Sequence, residues 1–147
     1  MEPPSPETRA AALFEQGYTC GQAVLAAHAA RFGLEHDAAL RIACAFGGGV
    51  ARTGATCGAV NGALMVIGLA EGGTHAGDAA ARERTYAAAR TFLERFRAEH
   101  GSVTCRDLLG VDISTSEGHE AASDRGLFRT RCPAFVRSAA RIVGTLT

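Results

Sequence analysis

Cysteine is the residue type in this sequence whose positions could support chemistry. Cys57 lies between Thr56 and Gly58, after a glycine-rich run (residues 47–54) and before an apolar stretch with helical spacing. Thr56 is a favourable N-cap, so we expect Cys57 in the first turn of a helix. Unpaired backbone N–H groups and the positive end of the helix dipole favour the thiolate at such a position. Because thiolates bind metals and carry out redox chemistry, the sequence predicts a functional role for Cys57.

Three further cysteines occupy similar positions. Cys20 lies in a run, residues 17–21, that repeats the pattern around Cys57: a glycine, one residue and then Thr-Cys-Gly. Cys105 follows a threonine, and Cys132 precedes a proline, which is favoured at the first position of a helix. We therefore predict all four at helix N-termini and expect them to converge on one centre. Four thiolates can bind zinc tetrahedrally or hold an iron–sulfur cluster, and helix dipoles can compensate their charge.

The fifth cysteine has a different context. Cys44 lies among apolar residues inside a predicted helix. Free cysteines are often small core residues, and this is the simpler interpretation. As a functional hypothesis, Cys44 could be a resolving thiol or a substitute ligand.

The elements that must position these cysteines are predicted to be helices. Apolar residues recur with helical spacing, and no stretch shows the alternation of a strand, so we predict an all-α fold, a compact bundle of about five to six helices with cysteines at helix N-termini. The longest helix should bury Tyr86, Ala89, Leu93 and Phe96, and residues 111–126 are predicted to be a loop. The predicted helices cover residues 7–16, 20–32, 38–46 (capped by Asp37), 57–70, 78–100 and 133–143, with a short helical turn at 105–109.

Composition and charge indicate how the helices pack and which classes of partner the protein is not expected to bind. Hydrophobic residues make up 47% of the 147 residues and aromatic residues only 6%, which suits closely packed helices with small residues at their crossings. The 15 basic and 15 acidic residues cancel, so we expect no binding to nucleic acid or to an anionic membrane. We expect residues 1–6 to be a flexible tail and residues 7–147 to be a single all-helical redox or metal-binding domain.

The sequence also predicts a cytoplasmic location. Residues 1–7 lack the basic and apolar regions of a signal peptide, and no apolar run reaches the length of a membrane span. In the cytosol, cysteines are more often metal-binding, catalytic or buried than paired in disulfides. A homodimer is a further hypothesis, because the small-residue faces of the Cys57 helix could pack on a second copy.

Glycines and histidines add weaker signals. Gly58 and Gly62 lie four apart on one helix face, which indicates tight packing against another helix. Residues 47–54 match neither a phosphate-binding P-loop nor a dinucleotide fingerprint. The five histidines show no paired spacing typical of a metal site.

The cysteines and their surroundings resemble those of the C-GCAxxG-C-C family of redox-active proteins. Cys20 matches the first cysteine, residues 57–62 match the central motif in the form Cys-Gly-Ala-x-x-Gly, and Cys105 and Cys132 match the last two. The resemblance runs from about residue 8 to about residue 145. The family is similar to a domain of split-Soret cytochromes, which implies an iron–sulfur centre held by the matched cysteines. The chain has no Cys-x-x-Cys-His haem attachment motif, so covalent haem is not expected.

Three functions follow as hypotheses. The first is a cytosolic iron–sulfur protein for electron transfer or redox sensing, with Cys20, Cys57, Cys105 and Cys132 as ligands and an unknown electron donor or acceptor. The second is a thiol–disulfide oxidoreductase that uses Cys57 as its catalytic nucleophile and another cysteine as the resolving thiol. The third is an interaction module in which the same four cysteines hold a structural zinc ion.

Overall fold

Helices account for the regular secondary structure of residues 2–147, which are the part of the chain that the computed structural model describes. Met1, in the predicted flexible tail, lies outside this part. The all-α class is confirmed, but these residues form nine α-helical segments rather than five to six, the shortest of them a single turn. The α-helices are α1 (Pro6–Glu15), α2 (Cys20–Ala29), α3 (His36–Ala43), α4 (Gly58–Glu71), α5 (Ala79–His100), α6 (Cys105–Leu109), α7 (Ser116–Asp124), α8 (Leu127–Thr130) and α9 (Cys132–Leu146).

Residues 111–126, predicted to be a loop, contain the helix α7. Thr115 caps this helix, since its side-chain oxygen accepts a hydrogen bond of 3.0 Å from the backbone N–H of Gly118. Within α7 only Ala122 is buried. A helix that buries a single alanine has almost no apolar period, so the sequence pattern does not reveal it.

The third predicted helix differs at both ends. Its cap is Glu35 and not Asp37, because the Glu35 carboxylate accepts hydrogen bonds of 3.1 Å from the backbone N–H groups of Asp37 and Ala38. The α-helix ends at Ala43, and the chain tightens into a 3₁₀ turn at Cys44–Phe46. Cys44 is exposed at this junction, so its interpretation as a small core residue is wrong.

Helix α2 lies at the centre of the bundle and contacts α1, α3, α4 and α9. Its crossing with α4 is formed by glycines. A Cβ added at Gly62 would lie 2.8 Å from the carbonyl oxygen of Gly21 on α2. A Cβ at Gly58 would lie 3.2 Å from the backbone nitrogen of Gly21 and 2.7 Å from the carbonyl oxygen of Phe46, in the 3₁₀ turn. No side chain fits at either position, so the two backbones touch directly. The predicted packing role of Gly58 and Gly62 is confirmed.

Helix α5 buries Phe96 as predicted, but the rest of its buried row differs from the predicted one. Phe92 and Phe96 are fully buried, whereas Tyr86 is 51% exposed and Leu93 is half-buried. The buried row runs from Ala81 through Phe92 to Phe96 and faces α4 and α9. The prediction for Tyr86 is wrong because the large ring of Phe92, one position before Leu93, sets the rotation of the helix.

In residues 2–147, no helix has both the length and the apolar character required to cross a lipid bilayer.

His28 is the most deeply buried polar side chain of the core, with 1% of its surface exposed. Its Nε2 lies 3.0 Å from the carbonyl oxygen of Ala140, and its Nδ1 lies 2.9 Å from the guanidinium of Arg31. A guanidinium only donates, so Nδ1 accepts and the ring is neutral with its proton on Nε2. Burial, together with the positive charges of Arg31 and Arg9, lowers the pKa of His28 to about 4.

We expect the buried His28 to make the protein less stable in mild acid. The unfolded chain binds a proton near pH 6.5 and the folded chain only near pH 4, so stability present above pH 6.5 is lost as the pH falls toward 4. The loss is about 3 kcal/mol at most. His28→Gln retains a donor for Ala140 but does not titrate, so its unfolding free energy should fall less over this range. Identical pH profiles from urea denaturation would show that His28 is not responsible.

The glycine crossing makes a second prediction. Gly62→Ala should lower the unfolding free energy by about 1–3 kcal/mol, because the added methyl group must force α2 and α4 apart. Gly68 is the matched control on the same helix, since a Cβ there has no neighbour within 4 Å. Gly68→Ala should raise the unfolding free energy by about 0.5–1 kcal/mol. Equal effects of the two substitutions in guanidinium denaturation would contradict the close helix contact.

Candidate functional site: a cysteine-lined cavity

A cavity of about 570 Å³ lies where the N-terminal ends of four helices meet, and all five cysteines line it. The structure therefore brings together the four cysteines predicted to share a centre, although long stretches of chain separate them. It also adds Cys44, from the 3₁₀ turn after α3, at an exposed position on the wall. That these cysteines bind a metal or cofactor stays a prediction.

Local capping explains the positions of two of these cysteines. Cys20 is the first residue of α2, and Thr19 and Gln22 form a reciprocal capping box in front of it. Cys105 is the first residue of α6, whose N-cap Thr104 accepts a hydrogen bond of 3.3 Å from the backbone N–H of Asp107. Both placements agree with the prediction.

The positions of Cys57 and Cys132 differ in detail from the prediction. Cys57 is itself the N-cap of α4, so Thr56 is not the cap and Cys57 does not lie in the first turn. Cys132 is the first residue of α9, with Pro133 next, and the preceding Arg131 provides no side-chain cap. Both sulfurs are still presented at the N-terminal end of a helix.

A short antiparallel contact between Thr56 and Thr104 places Cys57 beside Cys105. The backbone N–H of Cys57 donates to the carbonyl oxygen of Val103 at 2.8 Å, and that of Cys105 donates to the carbonyl oxygen of Ala55 at 2.7 Å. Sequence analysis missed this contact, because a pairing of single residues leaves no alternating pattern. It is also the reason that Thr56 is extended and does not cap α4.

The glycine-rich run forms one wall of the cavity in an unusual conformation. Gly48 and Gly49 are followed by Val50, Ala51 and Arg52, whose φ angles of 67°, 52° and 62° all lie in the left-handed region. A non-glycine residue held there costs on the order of 1–3 kcal/mol, so the surrounding contacts must impose the conformation.

Backbone hydrogen bonds and close packing supply those contacts. The N–H of Arg52 donates to the carbonyl oxygen of Gly47 at 3.0 Å, and the N–H of Ala55 donates to that of Gly49 at 2.9 Å. A Cβ on Gly49 would lie 2.6 Å from the Cβ of Cys105. The loop backbone therefore packs directly against Cys105, and only glycine fits at position 49.

The protonation of Cys57 differs from the expectation. The backbone N–H groups of Val60 and Ala59 face its sulfur and lower its pKa, although neither makes a complete capping hydrogen bond. Burial is the larger effect and raises the pKa of Cys57 to about 11. Burial, reinforced by the neighbouring Cys57 and Cys132, likewise raises the pKa of Cys105 to about 12. The predicted effect of the helix N-terminus on Cys57 is therefore present, but burial outweighs it and favours the thiol in the protein without a bound cation.

The side chains of Cys20 and Cys132 shift each other's pKa in opposite directions. A hydrogen bond between their side chains raises the pKa of Cys20, and burial raises it further. The same hydrogen bond lowers the pKa of Cys132. Of these two cysteines, Cys132 is therefore the one that more easily becomes a thiolate.

Four arginines lie near the cysteines in sequence (Arg52, Arg106, Arg129 and Arg131), and the cavity wall contains one of them. Arg52 lines the cavity. Arg106 lies 3.5 Å from the carboxylate of Asp112, and Arg131 donates to the carbonyl oxygen of Leu109 at 2.8 Å, so both are engaged elsewhere. His119, which lies on the unpredicted helix α7, also lines the cavity, and sequence analysis did not single it out.

The possible metal donors on the cavity wall are mainly cysteine sulfurs. No aspartate or glutamate lines the cavity, so its soft sulfur donors suit zinc or iron–sulfur chemistry. Zinc needs its four sulfurs about 2.3 Å from one point. Within residues 2–147, however, no three cysteine, histidine or acidic side chains are grouped closely enough to hold a metal ion.

The fold and the site thus define an all-α protein with helix-borne cysteines around one cavity. Residues 18–146 match the model of the family described as "Putative redox-active protein (C_GCAxxG_C_C)". Because the match covers most of the chain, the protein belongs to this family, and the resemblance inferred from the sequence is confirmed. Comparison with curated proteins gives no match, and comparison with solved structures gives none.

The exposure of Cys44 and the raised pKa values of Cys57 and Cys105 predict the order in which these three cysteines react in the metal-free protein. At pH 8, iodoacetamide should modify the exposed Cys44 first, whereas Cys57 and Cys105 should react slowly because burial keeps them protonated. The rate at Cys57 should rise about tenfold per pH unit until the pH approaches its pKa. Mass spectrometry of peptides reports each rate, with urea-unfolded protein as the control. Equal rates at Cys44 and Cys57 in the folded protein would contradict this account.

Proposed function

We propose that this protein is a redox protein in which Cys20, Cys57, Cys105 and Cys132 hold an iron–sulfur cluster that serves electron transfer or redox sensing. The observation that carries the proposal is the meeting of these four thiols, from four distant segments, on the wall of one cavity. Family membership supports a redox role. A cytoplasmic location and a homodimer stay predictions.

The protonation of the cysteines supports a cation in the cavity. Cys57 and Cys105 are buried and are neutral near pH 7, so forming thiolates there requires a compensating positive charge. A metal supplies this charge, and its binding then releases the thiol protons. A bound cluster would supply one-electron chemistry.

The protein's own residues would set the environment of that chemistry. The N–H groups of Ala59 and Val60 face the sulfur of Cys57, and such donors tune the reduction potential of a sulfur-ligated centre. Leu108, Leu109 and Phe135 line the cavity and limit the access of water to the sulfurs. The four matched cysteines are buried or half-buried, so transfer to a partner would occur through the exposed part of the cavity wall that contains Cys44.

A thiol–disulfide oxidoreductase is the second candidate, and the interaction between Cys20 and Cys132 favours it. In this reaction the two thiols lose two electrons and two protons and form one disulfide, while a disulfide substrate gains them and becomes two thiols. The hydrogen bond with Cys20 makes Cys132, rather than Cys57, the better nucleophile. A single structural zinc ion has less support, because the side chains are not grouped to hold one.

Anaerobic reconstitution with ferrous iron and sulfide tests the cluster. We expect brown protein with visible absorption and stoichiometric iron and sulfide. Serine substitution of Cys20, Cys57, Cys105 or Cys132 should remove most of the bound iron, because each thiolate is a ligand. Cys44→Ser is the matched control and should retain iron, since Cys44 lines the same cavity but is not a proposed ligand. Circular dichroism verifies that each variant is folded.

The outcomes separate the two candidates. Protein that stays colourless and iron-free, or loses iron equally in Cys44→Ser and Cys57→Ser, would contradict the cluster. In that case, a two-electron couple in a redox titration with thiol labelling, lost in Cys20→Ser and Cys132→Ser, would establish the disulfide chemistry.

A further inference from the structure

A second cavity, of about 410 Å³, adjoins the cysteine cavity and contains no cysteine. The two cavities share wall residues, including Arg52, Ile113 and His119. The second cavity is otherwise lined mainly by polar residues from the start of α7, with Glu120 among them. A ligand could therefore extend from the cysteine cavity past Arg52 and His119 into this polar space.

Arg52 and His119 are polar groups whose side chains are not engaged by the protein. Among the described residues, neither side chain has a hydrogen-bonding or ion-pair partner, in contrast to Arg106 and Arg131 nearby. The ring of His119 packs on that of Phe128, with centroids 5.4 Å apart, so its orientation is fixed by an aromatic contact. Both residues can donate to a ligand at the junction of the two cavities.

The loop conformation places Arg52 at this junction. Arg52 is the last of the five consecutive residues with a left-handed φ. A Cβ on Gly48 would lie 2.9 Å from the Cγ of Arg52, so the stem of the arginine packs against the bare backbone of Gly48. Strain of this kind is held by the surrounding structure and clusters at functional sites.

The cysteine cavity supplies the complementary apolar surface. Beside the thiols it is lined by Phe14, Leu108, Phe128 and Phe135. Its volume lies within the range of about 300–1,000 Å³ in which proteins bind small molecules, and such sites combine apolar walls with a few polar groups. A single metal ion would leave most of this volume unused.

We propose that the two cavities together bind a small organic anion. Its apolar body, of about the size of a benzene ring, contacts Phe128 and Phe135. Its carboxylate or phosphate group is held by the guanidinium of Arg52 and the imidazole of His119. The site deepens the proposed redox function by naming the class of molecule that reaches the cysteines, but binding itself does not require a metal.

The test measures binding of benzoate and of phenyl phosphate to the full-length protein by calorimetry, with benzyl alcohol as the neutral counterpart. At least one anion should bind more tightly than benzyl alcohol, and the tighter anion identifies the preferred head group. Arg52→Gln and His119→Gln should each weaken binding, by about tenfold for Arg52 because a charge-assisted hydrogen bond is lost. Glu120→Gln should tighten binding, since it removes a negative charge from the polar cavity.

Arg97→Gln is the matched control, because Arg97 is exposed on α5 and lines neither cavity. The proposal is overturned if neither anion binds at millimolar concentration, if benzyl alcohol binds equally, or if Arg52→Gln binds like Arg97→Gln. The measurement is made with and without reconstituted iron. Loss of iron binding with retained anion binding would therefore contradict only the cluster, and the converse would contradict only the anion site.

Discussion

The close approach of α2 to α4 is the packing contact on which the cysteine cavity depends. A Cβ at Gly62 would lie 2.8 Å from the carbonyl oxygen of Gly21 on α2, and a Cβ at Gly58 would lie 3.2 Å from the backbone nitrogen of Gly21. These neighbours are backbone atoms and cannot rotate away as a side chain could, so the helix separation is determined closely. Cys20 and Cys57 are each adjacent to one of the glycines at this crossing. The contact that joins the helices therefore also determines where two of the sulfurs lie.

Two opposing effects act on thiols at helix N-termini, and in this protein burial is the larger. The N–H groups at the start of α4 favour a negative sulfur on Cys57, yet its pKa is raised to about 11 because the side chain is buried. Only Cys132 has a lowered pKa, and its cause is a hydrogen bond with Cys20, not a dipole. Buried, protonated thiols suit a metal site whose cysteines become thiolates only when a cation binds. In such a site metal binding and proton release are coupled.

The loop before Cys57 forms part of the wall of both cavities, the one lined by cysteines and the polar one. At one end Gly49 packs on Cys105, and at the other Arg52 lies between the thiol-lined and the polar space. A run of left-handed residues reverses the chain within a few positions, so one short segment can contact both. The loop holds Val50 in a conformation that disfavours β-branched side chains. The glycine-rich run, which matches no phosphate-binding motif, therefore has a structural role, because it contacts both spaces.

The sequence alone determined the all-α class, the starts of α2 and α6, and the four cysteines that would meet. These features depend on neighbouring residues: Thr19 and Thr104 cap the helices that follow them, and Gly58 and Gly62 lie on one helix face. Tertiary structure decided what depends on distant residues. It paired Thr56 with Thr104 and so made Cys57 the cap, and it set the rotation of α5. It also buried the thiols deeply enough to keep most of them protonated, because burial is a property of the assembled core and not of any local pattern.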